Sequence, residues 1–462
     1  MAPPLSEGTK PGVDVAWRYE GRSIGDVLVA LDAVRTRFAL EEAGSSAHPH
    51  PRNFVMTLVA VAATEAEERM ARRACRMILE QHPAQAIVIR DQPDLESGQI
   101  EASISTDVQR SVTASAAQFE LVTLHVRGAA GEHLAELVDP LLDSGVPTYL
   151  WWVGTPPFGK RSFDEALRTC DELVVDSARF DSPYLSFLSL ARLATSAQRH
   201  QGVADFQWSR LRPWRETIAQ FFGPRDRRSF MSGISSVGID YAGEGRGNRI
   251  AASLLTGWLA SALGWQLQRA AGGAGGVVAA QYSTDGTKSI EVNFRSVPKT
   301  ALASGEITAV RVTGASGGKT FSLAIQLDPE RSHRQSDAGF SARHESGGED
   351  DAGVEIAARK AERHRDVLNE SRAAMHHTST GEAPGESTPR RPTVFNRDRR
   401  RAESARVLLT LIDIGGGETL RHVQRTDPED EAALLLELLS AGTRDSVYTR
   451  TLPAASELMR SM

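Results

Sequence analysis

The amino-acid sequence predicts an α/β domain followed by an α+β domain, which has a mainly antiparallel sheet and a disordered polar insertion. Up to about residue 200, short apolar runs alternate with amphipathic helical stretches, as in sheets with crossover helices. After residue 276, apolar and polar residues alternate with a period of two, as in antiparallel strands with one solvated side. Residues 331–401 carry dense charge of both signs and almost no aliphatic clusters, so they lack the apolar surface needed to order themselves.

Composition excludes several functional classes. The chain has 462 residues, a net charge of −6 and two cysteines. It therefore lacks the basic excess of nucleic-acid-binding proteins and the cysteines needed for a disulfide framework or a cysteine-based zinc site. The longest apolar run near the N-terminus, 54–63, is about half of the ~20 residues that span a bilayer, and no secretory signal pattern is present. We expect a cytoplasmic protein with neither a nucleic-acid nor a membrane partner.

The α/β domain is predicted at 22–204, after a flexible lead-in at 1–21 that is rich in proline and glycine. Its first helix, at 23–42, has Ser23 as N-cap and Val27 and Leu31 on one apolar face. Two apolar runs separated by a charged amphipathic helix then have the spacing of a β–α–β unit, which favours parallel strands. We predict strands at 53–63, 86–89, 100–106, 119–126, 147–153 and 172–176, and further helices at 65–81, 131–142 and 183–199.

The second half is predicted to begin with a helical connector at 205–267, interrupted by a loop at 223–247. Its clearest helix, at 248–263, places Trp258 among the core positions. The α+β domain then comprises 268–330 and 402–462, and the insertion at 331–401 separates two strands that pair as a hairpin. The predicted strands are 276–283, 289–295, 307–313, 320–327, 406–413 and 419–424, followed by a helix at 429–439.

Three glycine-rich segments resemble nucleotide-binding loops. The segment at 314–320 has Thr313 where a phosphate loop needs glycine, and it opens a strand, so we interpret it as a hairpin turn. The segment at 413–419 is also interpreted as a turn between strands. The third, at 243–248, precedes a helix whose free N–H groups could hold a phosphate, although Asn248 also fits a helix N-cap. The weak anion-binding candidates are Gly245, Arg246, Gly247, Asn248 and Arg249.

The sequence offers no set of catalytic residues. It contains no Gly-x-Ser-x-Gly elbow and no local Ser/His/Asp or Cys/His arrangement. Five of the twelve histidines lie in the polar insertion, and His48 and His50 alternate with prolines, so neither group resembles a metal site. We predict no catalytic residue, no metal ligand and no cofactor.

Tryptophan and arginine form the most unusual pattern. Both residue types are enriched where protein partners bind. Arg210 and Trp214 are four residues apart, so they can share a helix face and form a cation–π contact. The alternative is that the tryptophans belong to the core and to domain junctions. The predicted partner-binding residues are Trp151, Trp152, Trp208, Arg210, Trp214 and Arg215.

Several motifs occur in the order found in one known family. They are His82-Pro83 before the apolar 86–89, Trp151-Trp152 before two prolines, Trp208-Ser209-Arg210 with Trp214-Arg215, the segment 255–261, and a final helix followed by 445–448. Over most of 22–328 and 404–455, the sequence resembles the OpcA family, the glucose-6-phosphate dehydrogenase assembly proteins. It departs from that family's pattern at Gln85, where an arginine is usual, at Pro213, which interrupts a helix, and in the insertion.

The resemblance implies a non-catalytic partner that promotes assembly or activation of glucose-6-phosphate dehydrogenase. Some members are linked to redox control of that enzyme, but the sequence around Cys75 and Cys170 does not indicate a thiol switch. The alternative is an enzyme or sensor that binds a sugar phosphate or a nucleotide through the loop at 243–248. Convergent arginines and backbone N–H groups in one cleft would favour that alternative, whereas exposed tryptophan and arginine without a cleft would favour docking.

Overall fold

The fold is given by a computed structural model of the chain. It describes residues 15–21, 24–45, 54–79, 81–95, 100–109, 117–196, 201–243, 248–273, 277–284, 288–298, 302–327, 406–417, 419–426, 430–441 and 445–462. These residues form two eight-stranded sheets with helices packed against them. In the described part of the chain, no helix is both long and apolar enough to cross a membrane.

The first sheet combines six parallel strands with two antiparallel strands at one edge. In chain order, its strands are β1 (Val15–Gly21), β2 (Thr57–Ala62), β3 (Ala84–Gln92), β4 (Ile100–Gln109), β5 (Ala117–Arg127), β6 (Thr148–Trp152), β7 (Glu172–Val175) and β8 (Gly202–Asp205). Their spatial order is β1-β4-β5-β3-β2-β6-β7-β8. β5 pairs antiparallel with β4, and β4 with β1, whereas the remaining pairings are parallel. The parallel α/β architecture predicted for this half is confirmed.

The helices of this half are α1 (Ile24–Ser45), α2 (Glu65–Leu79), α3 (Leu134–Val138), α4 (Arg161–Arg168) and α5 (Pro183–Ala194). The prediction of one helix at 131–142 is wrong, because α3 is short and lies between two 3₁₀ turns, Gly128–His133 and Asp139–Leu141. Pro140 lacks a backbone N–H, so it cannot continue the α-helical hydrogen bonding.

The strand order of the first sheet reverses between β2 and β6. From β2 the chain moves outward to β3 and β5 on one side, and from β6 to β7 and β8 on the other. Open α/β sheets bind ligands in the crevice outside the carboxyl ends of the strands at such a reversal. The fold therefore places a candidate site beyond Ala62 and Trp152.

The second sheet is mainly antiparallel, as predicted. Its strands are β9 (Ile234–Ala242), β10 (Gln266–Gly272), β11 (Val278–Thr284), β12 (Lys288–Val297), β13 (Ile307–Ser316), β14 (Lys319–Leu327), β15 (Arg406–Ile414) and β16 (Leu420–Thr426). The spatial order is β10-β11-β12-β9-β13-β14-β15-β16, and β9 pairs in parallel with β12. Inward-facing side chains such as Val237, Val292 and Val312 are fully buried and form the core of this half.

Four strands were not predicted from the sequence. β1 lies within the stretch predicted as a flexible lead-in, and the four-residue β8 is too short to show periodicity. β9 occupies part of the predicted loop at 223–247, although Val237, Ile239 and Tyr241 alternate with smaller or polar residues. β10 includes residues assigned to the helical connector and is largely exposed at the sheet edge.

The remaining helices are α6 (Phe206–Arg210), α7 (Arg212–Phe222), α8 (Arg228–Met231), α9 (Ile250–Leu263), α10 (Glu431–Ala441) and α11 (Ser446–Arg460). α6 and α7 are separated at Leu211, just before Pro213, as the interrupting proline predicts. α9 packs closely against α11. A Cβ atom added at Gly257 would lie 2.7 Å from the backbone nitrogen of Ala455.

The hairpin predicted on both sides of the insertion is confirmed. β14 and β15 pair antiparallel, with Leu327 opposite Leu408, and the insertion at 331–401 lies outside the described residues. The segment at 314–320 is also a hairpin turn, since Gly317 and Gly318 have φ values of 59° and 77° and join β13 to β14. Two successive positive φ values are typical of a tight turn between antiparallel strands.

Candidate functional site

A cavity of about 600 Å³ lies at the reversal point of the first sheet. Its lining includes Ala63 after β2, Asp91 at the end of β3, Trp152 at the end of β6 and Lys160 before α4. We call this cavity the switch-point cleft. Small-molecule sites commonly have volumes between about 300 and 1,000 Å³.

The N-terminus of α2 is capped by its own sequence next to this cleft. The Glu67 carboxylate accepts hydrogen bonds from the backbone N–H groups of Ala63 (2.9 Å) and Thr64 (3.0 Å). The Thr64 hydroxyl accepts a bond from the Glu67 N–H at 3.2 Å, which completes a capping box. Glu67 also lies against the turn after β6, where a Cβ atom at Gly154 would be 2.9 Å from Glu67 Oε1. Two backbone N–H groups of this turn, those of Ala63 and Thr64, are therefore paired with Glu67.

Asp91 is the least satisfied polar side chain of the switch-point cleft. Its Oδ1 atom is buried and has no hydrogen-bond partner among the described residues. A Cβ atom added at Gly131 would lie 2.1 Å from this oxygen, so glycine is needed there to leave room for the carboxylate. Burial raises the pKa of Asp91, and the charge of Lys160 partly opposes that rise. A buried carboxylate oxygen without a donor is destabilising until a hydrogen-bond donor reaches it.

The floor of the switch-point cleft is aromatic, and its rim is charged. Trp152 is 8% exposed and packs edge-to-face on Phe163, with ring centroids 5.1 Å apart. On the rim, Arg161 pairs with Glu165 at 2.6 Å. The lining contains four carboxylates and two permanent cations, namely Asp91, Glu132, Glu136 and Glu165 against Lys160 and Arg161.

The four tryptophans predicted to bind a partner are buried. Trp151 is 1% exposed, Trp208 is 4% exposed and Trp214 is 7% exposed, and all belong to the hydrophobic core together with Trp152. In the described chain, their rings stabilise the fold and contribute little to the accessible surface. The role of these tryptophans in partner binding stays a prediction. Because their rings are buried, they would contribute to such binding only through other side chains that they hold in position.

The two predicted arginines have different surroundings. Arg210 makes a bidentate ion pair with the buried Asp176, at 2.6 and 2.8 Å. Arg215 lies 3.6 Å from the centre of the Trp208 ring and donates to the Trp208 carbonyl oxygen at 3.3 Å. The cation–π contact that the structure shows joins Arg215 to Trp208, whereas the prediction from the sequence paired Arg210 with Trp214. Because the helix breaks at Leu211, these two residues do not share one continuous helix.

A second, smaller cavity of about 260 Å³ lies beside Trp208. Arg212, Arg215, Asp445 and Tyr448 also line it, and we call it the Trp208 cleft. The Trp208 ring donates through Nε1 to Asp445 at 2.6 Å, which fixes the orientation of the indole. Burial lowers the pKa of Arg215 to about 10, and no carboxylate of the described residues lies within ion-pair distance of its guanidinium.

Behind the Trp208 cleft, Asp205 joins the first sheet to α11. Its carboxylate accepts hydrogen bonds from the Ser177 hydroxyl at 2.6 Å and the Tyr448 hydroxyl at 3.0 Å. Its other oxygen accepts bonds from the backbone N–H groups of Ser177 and Gln207, both at 3.0 Å. Burial raises the pKa of Asp205 to about 6, although the hydrogen bonds from Ser177 oppose this rise.

The anion-binding candidates are only partly described. Gly245, Arg246 and Gly247 lie outside the described residues. Asn248 lies one residue before the N-cap of α9, which is Arg249 and not Asn248 as the sequence suggested. Its Oδ1 atom accepts the Ile250 N–H at 3.0 Å, and its amide donates to the Ala178 carbonyl oxygen at 3.0 Å. Arg249 donates through Nε to the Tyr241 hydroxyl at 3.3 Å.

Gln85 and the cysteines occupy buried structural positions. The Gln85 amide donates to Glu120 at 2.8 Å and to the Leu141 carbonyl oxygen at 3.0 Å. Burial raises the pKa of both Cys75 and Cys170 to about 12, so the thiols stay protonated at neutral pH.

Within the described ranges, no three His, Cys, Asp or Glu side chains are grouped to hold a metal ion. The histidines of the insertion, with His48 and His50, lie outside those ranges.

The switch-point cleft was not predicted from the sequence, although one local signal pointed to it. The segment from Thr64 to Glu67 has the Thr-x-x-Glu pattern of a capping box directly after an apolar run. That β2 lies next to β6 depends on long-range strand pairing, which local periodicity does not reveal.

Two family models match the chain. Residues 75–192 match the glucose-6-phosphate dehydrogenase subunit N-terminal domain, and residues 201–452 match the C-terminal domain of the same subunit. Curated relatives include a putative OxPP cycle protein OpcA from Synechocystis sp., 27% identical over 57% of this chain and 54% of that protein. A protein of the same description from Synechococcus elongatus is 31% identical over 42% of this chain and 43% of that protein. The chain spans about half the length of these relatives.

Similar solved structures include oxidoreductases. A putative oxidoreductase from Erwinia carotovora atroseptica has a TM-score of 0.40 and 10% identity, covering 88% of this chain and 98% of that chain. Myo-inositol dehydrogenase from Lactobacillus casei has a TM-score of 0.33 and 10% identity, covering 64% of this chain and 78% of that chain. TM-scores below 0.5 do not establish a shared fold.

Proposed function

The chain belongs to the OpcA family of glucose-6-phosphate dehydrogenase subunits, and from that premise we propose that it is a non-catalytic partner of this dehydrogenase. In this proposal it docks on the enzyme and promotes its assembly or activation. The matches to both domains of the subunit carry the proposal, because together they cover every strand of the two sheets except β1 and β2.

The capping of α2 supports a non-catalytic role. Dehydrogenases with this sheet type bind the dinucleotide pyrophosphate on the N–H groups of the first strand–helix turn. Here the corresponding turn contains no glycine, and Glu67 pairs with the N–H groups of Ala63 and Thr64. A pyrophosphate at this position would meet the negative charge of the Glu67 carboxylate.

We assign the docking contact to the Trp208 cleft. Arginine and tryptophan are the side chains whose truncation most often weakens protein interfaces. The Arg215 side chain is held in place by two contacts with Trp208, one with the indole ring and one with the backbone carbonyl oxygen. No carboxylate of the described residues forms an ion pair with Arg215. A hydrogen-bond acceptor of the dehydrogenase would meet this guanidinium, in a cleft whose lining already contains carboxylates such as Glu216 and Asp445. Trp151, Trp152 and Trp214 are buried, and Arg210 is ion-paired with Asp176, so the docking contact is assigned to Arg215 and not to these residues.

The test combines the purified chain with its cognate dehydrogenase and follows oligomer mass and activity together. Arg215→Ala should weaken association at least tenfold, because truncation of an arginine anchor commonly costs about 2 kcal/mol or more. Arg69→Ala is the matched control, since Arg69 is an exposed arginine paired with Glu65 on α2. Failure of the unmodified chain to bind the dehydrogenase would refute the function, and equal binding by a folded Arg215→Ala variant would refute the assigned cleft.

A further inference from the structure

The first β–α–β unit retains one of the two ligand-binding features of a dinucleotide fold. In such folds, the first helix N-terminus binds pyrophosphate, and an acidic residue at the end of the second strand accepts hydrogen bonds from the ribose hydroxyls. The corresponding elements here are β2, α2 and β3. Glu67 closes the pyrophosphate position, whereas Asp91 lies at the carboxyl end of β3 and lines the switch-point cleft.

Asp91 is placed to accept hydroxyl groups from a ligand. Its Oδ1 atom has no donor among the described residues, although it is enclosed next to Gly131. Because Oδ1 is buried, a ligand in the cleft would reach the second carboxylate oxygen, Oδ2. One hydroxyl of a vicinal pair can donate to this oxygen, and hydrogen bonds to a charged acceptor are stronger than neutral ones.

The rest of the switch-point cleft favours an uncharged ring. Trp152 and Leu134 are apolar lining residues of the cleft, although only 8% and 2% of their surfaces are accessible. The four lining carboxylates outnumber Lys160 and Arg161, and Arg161 is already paired with Glu165. This charge balance disfavours a phosphorylated ligand.

We propose that the switch-point cleft binds an uncharged ring with vicinal hydroxyl groups, either the ribose of a nucleoside or a sugar, and that Asp91 accepts a hydrogen bond from one of these hydroxyls. This site is separate from the proposed docking contact at Arg215, so either proposal can fail without the other.

The test measures binding of five probes to the full chain by ligand-observed NMR and calorimetry. The probes are adenosine, AMP, glucose, glucose 6-phosphate and 2′-deoxyadenosine, which lacks one hydroxyl of the adenosine diol. We expect adenosine or glucose to bind, with at least tenfold weaker binding of the phosphorylated form. If the site binds nucleosides, 2′-deoxyadenosine should also bind at least tenfold more weakly than adenosine. If only glucose binds, the site is a sugar site.

The variant Asp91→Asn should weaken binding of the active probe at least tenfold, because it keeps the side-chain shape and removes the charge. Glu136→Gln is the matched control, since Glu136 lines the same cleft but its side chain is 77% exposed. Thermal unfolding of both variants separates loss of the site from loss of the fold. The proposal is overturned if no uncharged probe binds at millimolar concentration, if phosphorylated probes bind as tightly, or if a folded Asp91→Asn variant binds normally.

Discussion

At Asp205 the chain encloses a carboxyl group between the end of β8 and the start of α11. Four hydrogen bonds hold it, and the nearby Asp176 carboxylate adds to the rise in pKa that burial causes. Because the folded-state pKa of about 6 exceeds the ordinary value of 3.8, the folded protein binds this proton more tightly than the unfolded chain does. The resulting stabilisation is fully present below pH about 4 and is lost as the pH rises through about 6.

We expect Asp205→Asn to remove this pH dependence. Relative to the variant, the unmodified protein should lose unfolding free energy between pH about 4 and 6, and the difference should be constant above pH about 7. Urea unfolding of both proteins at a series of pH values measures this difference in unfolding free energy. Asp226→Asn is the control, because the Asp226 side chain is 78% exposed. A difference between Asp205→Asn and the unmodified protein that does not change with pH would contradict the assigned pKa.

Residue type and helical spacing did not predict which individual tryptophans are buried. Helical spacing placed Trp258 in the core, yet it is only partly buried, whereas Trp214 is 7% exposed. Burial depends on which neighbouring elements cover a helix face, and α7 is covered by elements far away in the sequence. The hydrogen bond from Thr217 of α7 to Gln424 of β16, at 3.1 Å, is one such distant contact. A single sequence therefore could not separate buried anchors from exposed ones.

At the scale of elements, the α9–α11 contact explains a motif that the family resemblance includes. Gly257 lies within 255–261, and a Cβ atom there would lie 2.7 Å from the Ala455 nitrogen and 2.9 Å from the Thr451 carbonyl oxygen. Glycine in a helix interior is unfavourable by roughly 1 kcal/mol relative to alanine. The close approach of α11 therefore gives this glycine its structural role.

Gly257→Ala should destabilise the protein despite the better helix propensity of alanine. The added methyl group has no space against the α11 backbone, and overpacking of this kind costs about 1–3 kcal/mol. Chemical unfolding should show a net loss of about 1–2 kcal/mol. Gly223→Ala is the matched control, because Gly223 has φ −61° and its nearest contact would be 3.4 Å away. Equal stability of the two variants would show that α11 moves aside without strain.

Local sequence patterns predicted most elements of the fold but not their arrangement. The buried apolar runs of β2 and β3 and the alternation in β12 are strong local signals, and all three were predicted. The site was less accessible, because the switch-point cleft requires β2 beside β6, and the Trp208 cleft requires α11 to return to the end of β8. Such contacts are set by packing of the whole chain.

For the whole molecule, we expect deletion of 331–401 to leave the fold intact. β14 and β15 are paired along their length, with Phe321 opposite Ile414 at one end and Leu327 opposite Leu408 at the other. A short connection after Leu327 could therefore join the two strands without changing their register. The closure free energy of a loop changes by only about 0.6 kcal/mol for each doubling of its length, so a shorter loop should be neutral or slightly stabilising. The unfolding temperature of the deletion variant should differ from that of the unmodified protein by at most a few degrees. Binding to the dehydrogenase, measured on the same sample, should persist if docking uses the Trp208 cleft. A large fall in unfolding temperature would show that the insertion packs on the described fold, whereas a stable variant that no longer binds would place the docking contact in the insertion.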